Sequence, residues 1–149
     1  MSTVLTQSEA ERLIALEKHT ANREPIAYPN LGGSVRAELI ADEGREAFFL
    51  DVRRGSVVFS KTTNQLRARH SIILLRLDLG GAPHRNPDGA EIPCPHLHVY
   101  RENFAVKWAF PVPEELSKDL SNFKVTLFDF MTYCRIIEQP KFIFGLPFS

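Results

Sequence analysis

Three of the five histidines in this chain of 149 residues, His84, His96 and His98, fall close together. Two of them sit in the run His96-Leu97-His98-Val99-Tyr100. A strand there directs both imidazoles and the Tyr100 ring to one face, with ~6.5 to 7 Å between neighbours on that face. Upstream, Ile73, Leu75, Leu77 and Leu79 claim the apolar face of their own strand, which sends Arg76 and Asp78 to the opposite side. Alternation through residues 104–110 turns Phe104, Val106, Trp108 and Phe110 inward and leaves Lys107 outward. The expected cluster is therefore Arg76, Asp78, His96, His98, Tyr100 and Lys107, joined from a connecting loop by His84, Arg85, Asn86 and Asp88. An exposed sheet face is polar for reasons of solvation alone, but such faces draw on Lys, Glu and Thr more than on imidazoles.

Cleavage of RNA by its own 2′-hydroxyl needs a base, an acid and cations for the charge that builds on the phosphate. His96 and His98 supply base and acid, because an imidazole pKa of ~6.5 keeps both protonation forms available near neutrality. Arg76 and Lys107 supply the cations, Tyr100 a further acid or a stacking surface, and Asp78 orients a histidine. Arg53, Arg54, Lys61, Arg67 and Arg69 are interleaved with Asn64 and Gln65, a pattern that tracks phosphates and also discourages edge aggregation. The expected substrate contacts are His84, Asn86, Arg67, Arg69 and Lys61.

That reading needs no cofactor. The same imidazoles also suit a divalent transition metal at ~2.0 to 2.1 Å, with His84, His96, His98 and Glu102 as ligands and His70 as a substitute. The stretch from His96 to Glu102 reads as HxH, three residues and Glu, and resembles the first metal motif of the cupin family over those seven residues. The glycine expected beyond the glutamate is missing, and no histidine follows His98. Cys94, between two prolines, and Cys134, on an apolar stripe, both read as structural. Gly32-Gly33 and Gly80-Gly81 lack the surroundings of a phosphate loop.

The elements that must position these residues follow from composition and pattern. Hydrophobic residues make up 44% and charged residues 24%, a globular balance. One core of this size buries roughly 70% of the unfolded surface. Lys plus Arg (18) equals Asp plus Glu (18), so any anionic partner needs a local patch. The longest apolar runs, such as 72–75, fall far short of the ~20 residues that cross a bilayer. Residues 1–20 lack the pattern of a secretory signal, so no membrane association and a reducing cytoplasm are expected.

Thr6-Gln7-Ser8-Glu9 is a capping box, and Leu13, Ile14 and Leu16 extend it to a helix over 7–19. Strands at 35–41 and 47–53 flank Asp42-Glu43-Gly44-Arg45, and strands at 56–61 and 65–79 flank 62–64, as in a meander. A loop at 82–95 carries the turn Asn86-Pro87-Asp88-Gly89 and leads to a hairpin of 95–101 against 104–110. Glu114-Glu115 mark a possible helix start. Phe123, Leu127, Phe130, Met131, Cys134 and Ile137 put one apolar stripe on a helix over 121–137. Phe142, Phe144, Leu146 and Phe148 alternate as a final strand or tail. The expected fold is one α+β domain over 1–149: a twisted antiparallel β-sheet (meander) with an N-terminal helix and a C-terminal amphipathic helix packed on one face.

The series Leu74-Leu75-Arg76-Leu77-Asp78, His84-Arg85-Asn86-Pro87-Asp88-Gly89, Pro95-His96-Leu97-His98-Val99-Tyr100 and Lys107-Trp108-Ala109 resembles a family of small bacterial proteins without an assigned function. That resemblance spans about half of the chain, implies a bacterial or phage source and brings no activity with it. The functional expectation rests on the residues: a metal-independent ribonuclease or RNA-binding accessory protein of toxin or defence type. From another class comes a non-enzymatic module, an antitoxin, immunity or anti-defence factor, that meets a protein partner on the same face. A cupin-like metal protein is third. Each requires His96, His98 and Arg76 to share one outward pocket.

Overall fold

Apolar and polar residues alternate through the middle of the chain, which builds a sheet with one dry face and one wet face. The computed structural model describes residues 4–145. In chain order these form α1 (Gln7–Ala15), β1 (Lys18–Thr20), β2 (Ile26–Ala27), β3 (Ser34–Ala41), β4 (Glu46–Arg54), β5 (Thr62–Ala68) and β6 (Ile72–Leu79). There follow β7 (His84–Arg85), β8 (Glu91–Ile92), β9 (His96–Val99), β10 (Ala109–Pro111), α2 (Phe123–Tyr133), β11 (Ile136–Glu138) and β12 (Phe142–Ile143). The large sheet has the order β10-β9-β6-β5-β4-β3-β1-β11 and is antiparallel except where β1 meets β11. Two small ribbons, β12 with β2 and β7 with β8, complete the α+β architecture. Among the described residues no helix is long and apolar enough to cross a membrane.

The dry face carries Leu39, Leu50, Leu66, Leu75, Leu77 and Leu97, and α1 and α2 close over it with Ala10, Leu13, Leu127, Phe130 and Met131. Thr6 and Glu9 form the capping box of α1, and the Asn122 side chain caps α2 by accepting from the Lys124 and Val125 amides. Between the two helix ends lies Lys18, fully buried. Its ammonium donates to the carbonyls of Ile14 (2.9 Å), Leu16 (2.7 Å) and Cys134 (2.8 Å) and stands 4.9 Å over the Phe48 ring. One cation thus satisfies orphan carbonyls at the C-terminal ends of both helices, where the helix dipoles favour positive charge.

The boundaries differ from the sequence expectation where the chain leaves regular geometry. The first helix stops at Ala15 rather than 19, because Leu16 is extended and Lys18 pairs into the sheet. Residues 56–61 form a loop rather than a strand, closed by bonds from the Gly55 amide to the Lys61 carbonyl and from the Lys61 amide to the Val58 carbonyl. Gly80, at φ +69, lets this loop come close, since a Cβ there would lie 2.4 Å from the Ser60 carbonyl oxygen. The expected run 65–79 is two strands, and 62–64 belong to β5; the turn falls at Arg69 and His70, both at positive φ.

The hairpin expected over 95–101 and 104–110 shortens to β9 and β10, with turns at 101–107 where Asn103 and Ala105 take positive φ. Alternation therefore fails there: Phe104 and Phe110 are exposed. Trp108 is half-buried under the Arg101 guanidinium rather than anchoring the core. The second helix ends at Tyr133, and Arg135, at φ +62, turns the chain into β11. Phe142 lies in β12, while Leu146 and Phe148 fall outside the described residues.

Burial pushes the Lys18 ammonium down to about 8 from its ordinary value of 10.5. The unfolded chain then binds more protons than the folded one between those two values, so the Lys18 contribution to stability rises with pH across that window. Below pH 8 the residue is charged in both states and its desolvation opposes folding in full. Denaturant unfolding of wild type and Lys18→Met from pH 7 to pH 10 should show wild type gaining up to ~3 kcal/mol relative to the variant. Parallel pH profiles would remove Lys18 from that role.

Candidate functional site

The strand registers align the polar residues in two rows across the wet face. One runs Arg36, Asp51, Gln65, Arg76, His98 and the other Ser34, Arg53, Thr63, Asp78, His96, each residue paired with the next on the neighbouring strand. Both rows line one open cleft of about 750 Å³, which Lys61, Arg67, Pro83 and His84 also line. Five cationic side chains, Arg36, Arg53, Lys61, Arg67 and Arg76, face two carboxylates, Asp51 and Asp78.

Both carboxylates are engaged. Asp51 accepts from Arg67 Nε (2.5 Å) and Nη2 (2.9 Å) and from Gln65 Nε2 (2.8 Å). Burial works against its charge, but these bonds win and hold its carboxyl below the usual range. Arg67 also donates to the His70 carbonyl. By contrast Arg36, Arg53 and Lys61 are exposed and have no ion pair among the described residues. Arg36 lies 4.7 Å over the Phe49 ring.

Asp78 is the busier group. Its Oδ2 lies 3.2 Å from His96 Nε2 and 3.1 Å from His98 Nε2, and Arg76 donates to Oδ1 through Nε (3.1 Å) and to Oδ2 through Nη2 (3.3 Å). Burial alone would raise its pKa; the bond with His98 and the Arg76 charge lower it to about 2. Both imidazoles are buried, and their other nitrogens meet carbonyls. His98 Nδ1 donates to Val106 (2.8 Å), and His96 Nδ1 lies 3.4 Å from the Pro93 oxygen. His84, on β7, packs its ring edge-on 4.6 Å from that of His98.

Arg76, Asp78, His84, His96 and His98 are thus brought together, with Lys61 and Arg67 on the same cleft. Other expected members go elsewhere. Tyr100 follows the end of β9 and enters the core, where its hydroxyl donates to the Leu5 carbonyl (2.8 Å) and accepts from the Leu5 amide (2.7 Å). Lys107 is exposed in the 101–107 turns, meets His84 through its carbonyl (2.7 Å) and is not one of the residues that line the cleft. Asn86 is buried as a side-chain extension of the sheet, bonding both the amide and the carbonyl of Ala109. Arg69 pairs with Glu9 and Glu46 at the β5–β6 turn.

The alternative metal set is corrected likewise. Glu102 bonds the Gln7 amide at the start of α1, and His70 lies against Phe49, so the ligand atoms that converge are those of Asp78, His96 and His98. Arg54 stacks on Tyr28 and Phe123, outside the cleft. Cys94 donates to the Asp78 carbonyl, and burial pushes the Cys134 thiol up to about 12, which keeps Cys134 from acting as a nucleophile. The sequence reading passed over Arg36 and Asp51. The alternation that turns Ala37, Leu39 and Ala41 inward sends Arg36 outward, and the β3–β4 hairpin register sets it opposite Asp51.

Because the Tyr100 hydroxyl serves two buried backbone groups, Tyr100→Phe should lower unfolding free energy by about 2 kcal/mol while leaving the amide spectrum of the cleft strands unchanged. An unaltered midpoint in chemical denaturation would contradict its placement in the core.

No curated protein and no solved structure matches the chain. A family model, described as a family of unknown function (DUF6978), matches residues 5–136, which takes in both rows of the cleft and the two helices behind it. The chain is a member of the DUF6978 family.

Proposed function

We propose that the polar cleft binds the phosphate backbone of an RNA strand. The observation that carries this reading is the excess of positive charge: five cations line the cleft against two carboxylates, Arg53 and Lys61 form no ion pair among the described residues, and Arg36 acts on Asp51 through its charge alone, in a chain with no net charge. Cations without counterions on a concave surface repel one another, and a polyanion relieves that repulsion while releasing its own condensed counterions. Gln65, Thr63 and Ser34 add hydrogen-bonding groups between the cations. The loop at 55–61 exposes Val57, Val58 and Phe59 beside Lys61, and an exposed aromatic ring suits the stacking of an unpaired base.

The arrangement supports binding over cleavage. A general base and acid must each offer a nitrogen to substrate, yet His98 directs Nδ1 to Val106 and Nε2 to Asp78 and Arg76, and His96 directs its nitrogens to Pro93 and Asp78. His84 has one nitrogen tied to the Lys107 carbonyl. In this reading the imidazoles and Asp78 hold Arg76 in place for a phosphate.

Fluorescence anisotropy with a labelled single-stranded RNA, repeated over a range of salt, tests the proposal. Four contacts, from Arg36, Arg53, Lys61 and Arg76, at ~0.7 counterions each predict a slope of log K against log salt near −2.8. Arg53→Ala with Lys61→Ala should make that slope shallower by about 1.4 and weaken binding at least ~10-fold at low salt. The RNA should be recovered intact. Absence of binding at low salt, or a slope indifferent to the two substitutions, would overturn the assignment; retention of an acidic protein instead would point to a protein partner.

A further inference from the structure

The cluster at the His84 end of the cleft holds more than a positioning role requires. The Oδ2 of Asp78 and the Nε2 atoms of His96 and His98 lie within 4.8 Å of one another. Charge-assisted N–H···O bonds to a carboxylate run at about 2.7 to 2.9 Å. The separations here are 3.1 and 3.2 Å. Those two separations, from the carboxylate to each imidazole, approach the edge of a tetrahedron built around an ion with ligands at 2.0 to 2.1 Å, which is about 3.3 Å, and the two imidazole nitrogens lie within 4.8 Å of each other.

Each imidazole also has an orienting group behind it: the Val106 carbonyl at His98 Nδ1 and the Pro93 carbonyl near His96 Nδ1. A backbone acceptor on the far nitrogen is the outer-shell arrangement of metal-bound histidines. The Arg76 guanidinium already stands at this cluster, its Nη2 3.1 Å from His98 Nε2 and 3.3 Å from Asp78 Oδ2, so a positive charge is accommodated between these atoms.

We infer that Asp78, His96 and His98 form a site for one divalent transition-metal ion, with Arg76 as the cation that occupies its place when the metal is absent. Two imidazoles and one carboxylate favour ions of the zinc, iron, manganese or cobalt kind over magnesium or calcium, which take oxygen ligands. Three protein ligands leave a further coordination position toward the cleft. Arg76 is half-buried, so its side chain has room to swing out when an ion enters. The inference stands apart from the RNA reading, since it concerns the ion alone.

The test uses full-length protein stripped with chelator and then titrated with Co²⁺, followed by its visible absorption, and with Zn²⁺, followed by calorimetry. One ion per chain should bind with a dissociation constant below ~10 µM, and Asp78→Asn and His96→Ala should each weaken it at least ~10-fold. Arg76→Ala should tighten binding, because it removes the competing cation from a half-exposed position without loss of a ligand. Circular dichroism of each variant separates lost folding from lost binding; if both ligand variants unfold, the Arg76→Ala result decides alone. Failure of wild type to bind either ion at 1 mM, binding indifferent to Asp78→Asn, or weaker binding in Arg76→Ala would each overturn the site.

Discussion

One carboxylate organises the polar half of this molecule. Asp78 sits near the C-terminal end of β6 with Thr63 beside it on β5 and His96 beside it on β9, and it accepts from Arg76 on its own strand. Two imidazoles buried to this extent, and a guanidinium half-buried next to them, are costly without an acceptor. Asp78 answers all three, and its own lowered pKa is the reciprocal of those contacts. Loss of the carboxylate would leave Arg76 free to turn elsewhere and would unlock the His84 ring packed behind His98. Arg76, His96 and His98 thus share one acceptor.

A cleft needs a wall behind it, and the opposite face of the sheet supplies that wall. Both helices pack on the dry side, so neither covers the wet side, where Arg36 and Arg53 stay exposed while His96 and His98 are buried at one end of the rows. Lys18 serves the same end from a distance: it fastens the C-terminal ends of α1 and α2 beside Phe48, and so fixes the layer on which β4 and β5 rest. The two buried polar centres differ in kind. Lys18 hydrogen-bonds to backbone carbonyls and is fully buried, whereas Asp78 meets side chains and lines an open cleft, where an ion or a phosphate can reach the same atoms.

Sequence pattern carried the reading as far as strict alternation held. Leu75, Leu77 and Leu79 against Arg76 and Asp78, and Leu97 against His96 and His98, sort correctly between faces, and the registers bring Arg76 opposite His98 as the shared pocket requires. The same rule applied to β3 and β4 would have found Arg36 and Asp51. Where alternation ends, the reading ends with it. Tyr100 keeps the parity of the histidines but lies one residue past β9, and the chain turns its ring into the core. Arg69, His70, Asn103 and Ala105 adopt left-handed backbone without being glycine, so the turns they make carry no compositional mark. Nor does a sequence reveal that the Asn86 amide replaces a strand's backbone, or that both histidines are buried behind the carboxylate they share.

The claim that the wet face of the sheet is the working surface can be put to one measurement: mapping of amide and arginine side-chain shifts in ¹H–¹⁵N spectra as single-stranded RNA is added. The account predicts that the changes gather on Ser34 to Arg36, Asp51 to Arg53, Thr63 to Arg67 and His84, with α1 and α2 unmoved. Changes confined to the helices, or spread evenly over the molecule, would contradict it.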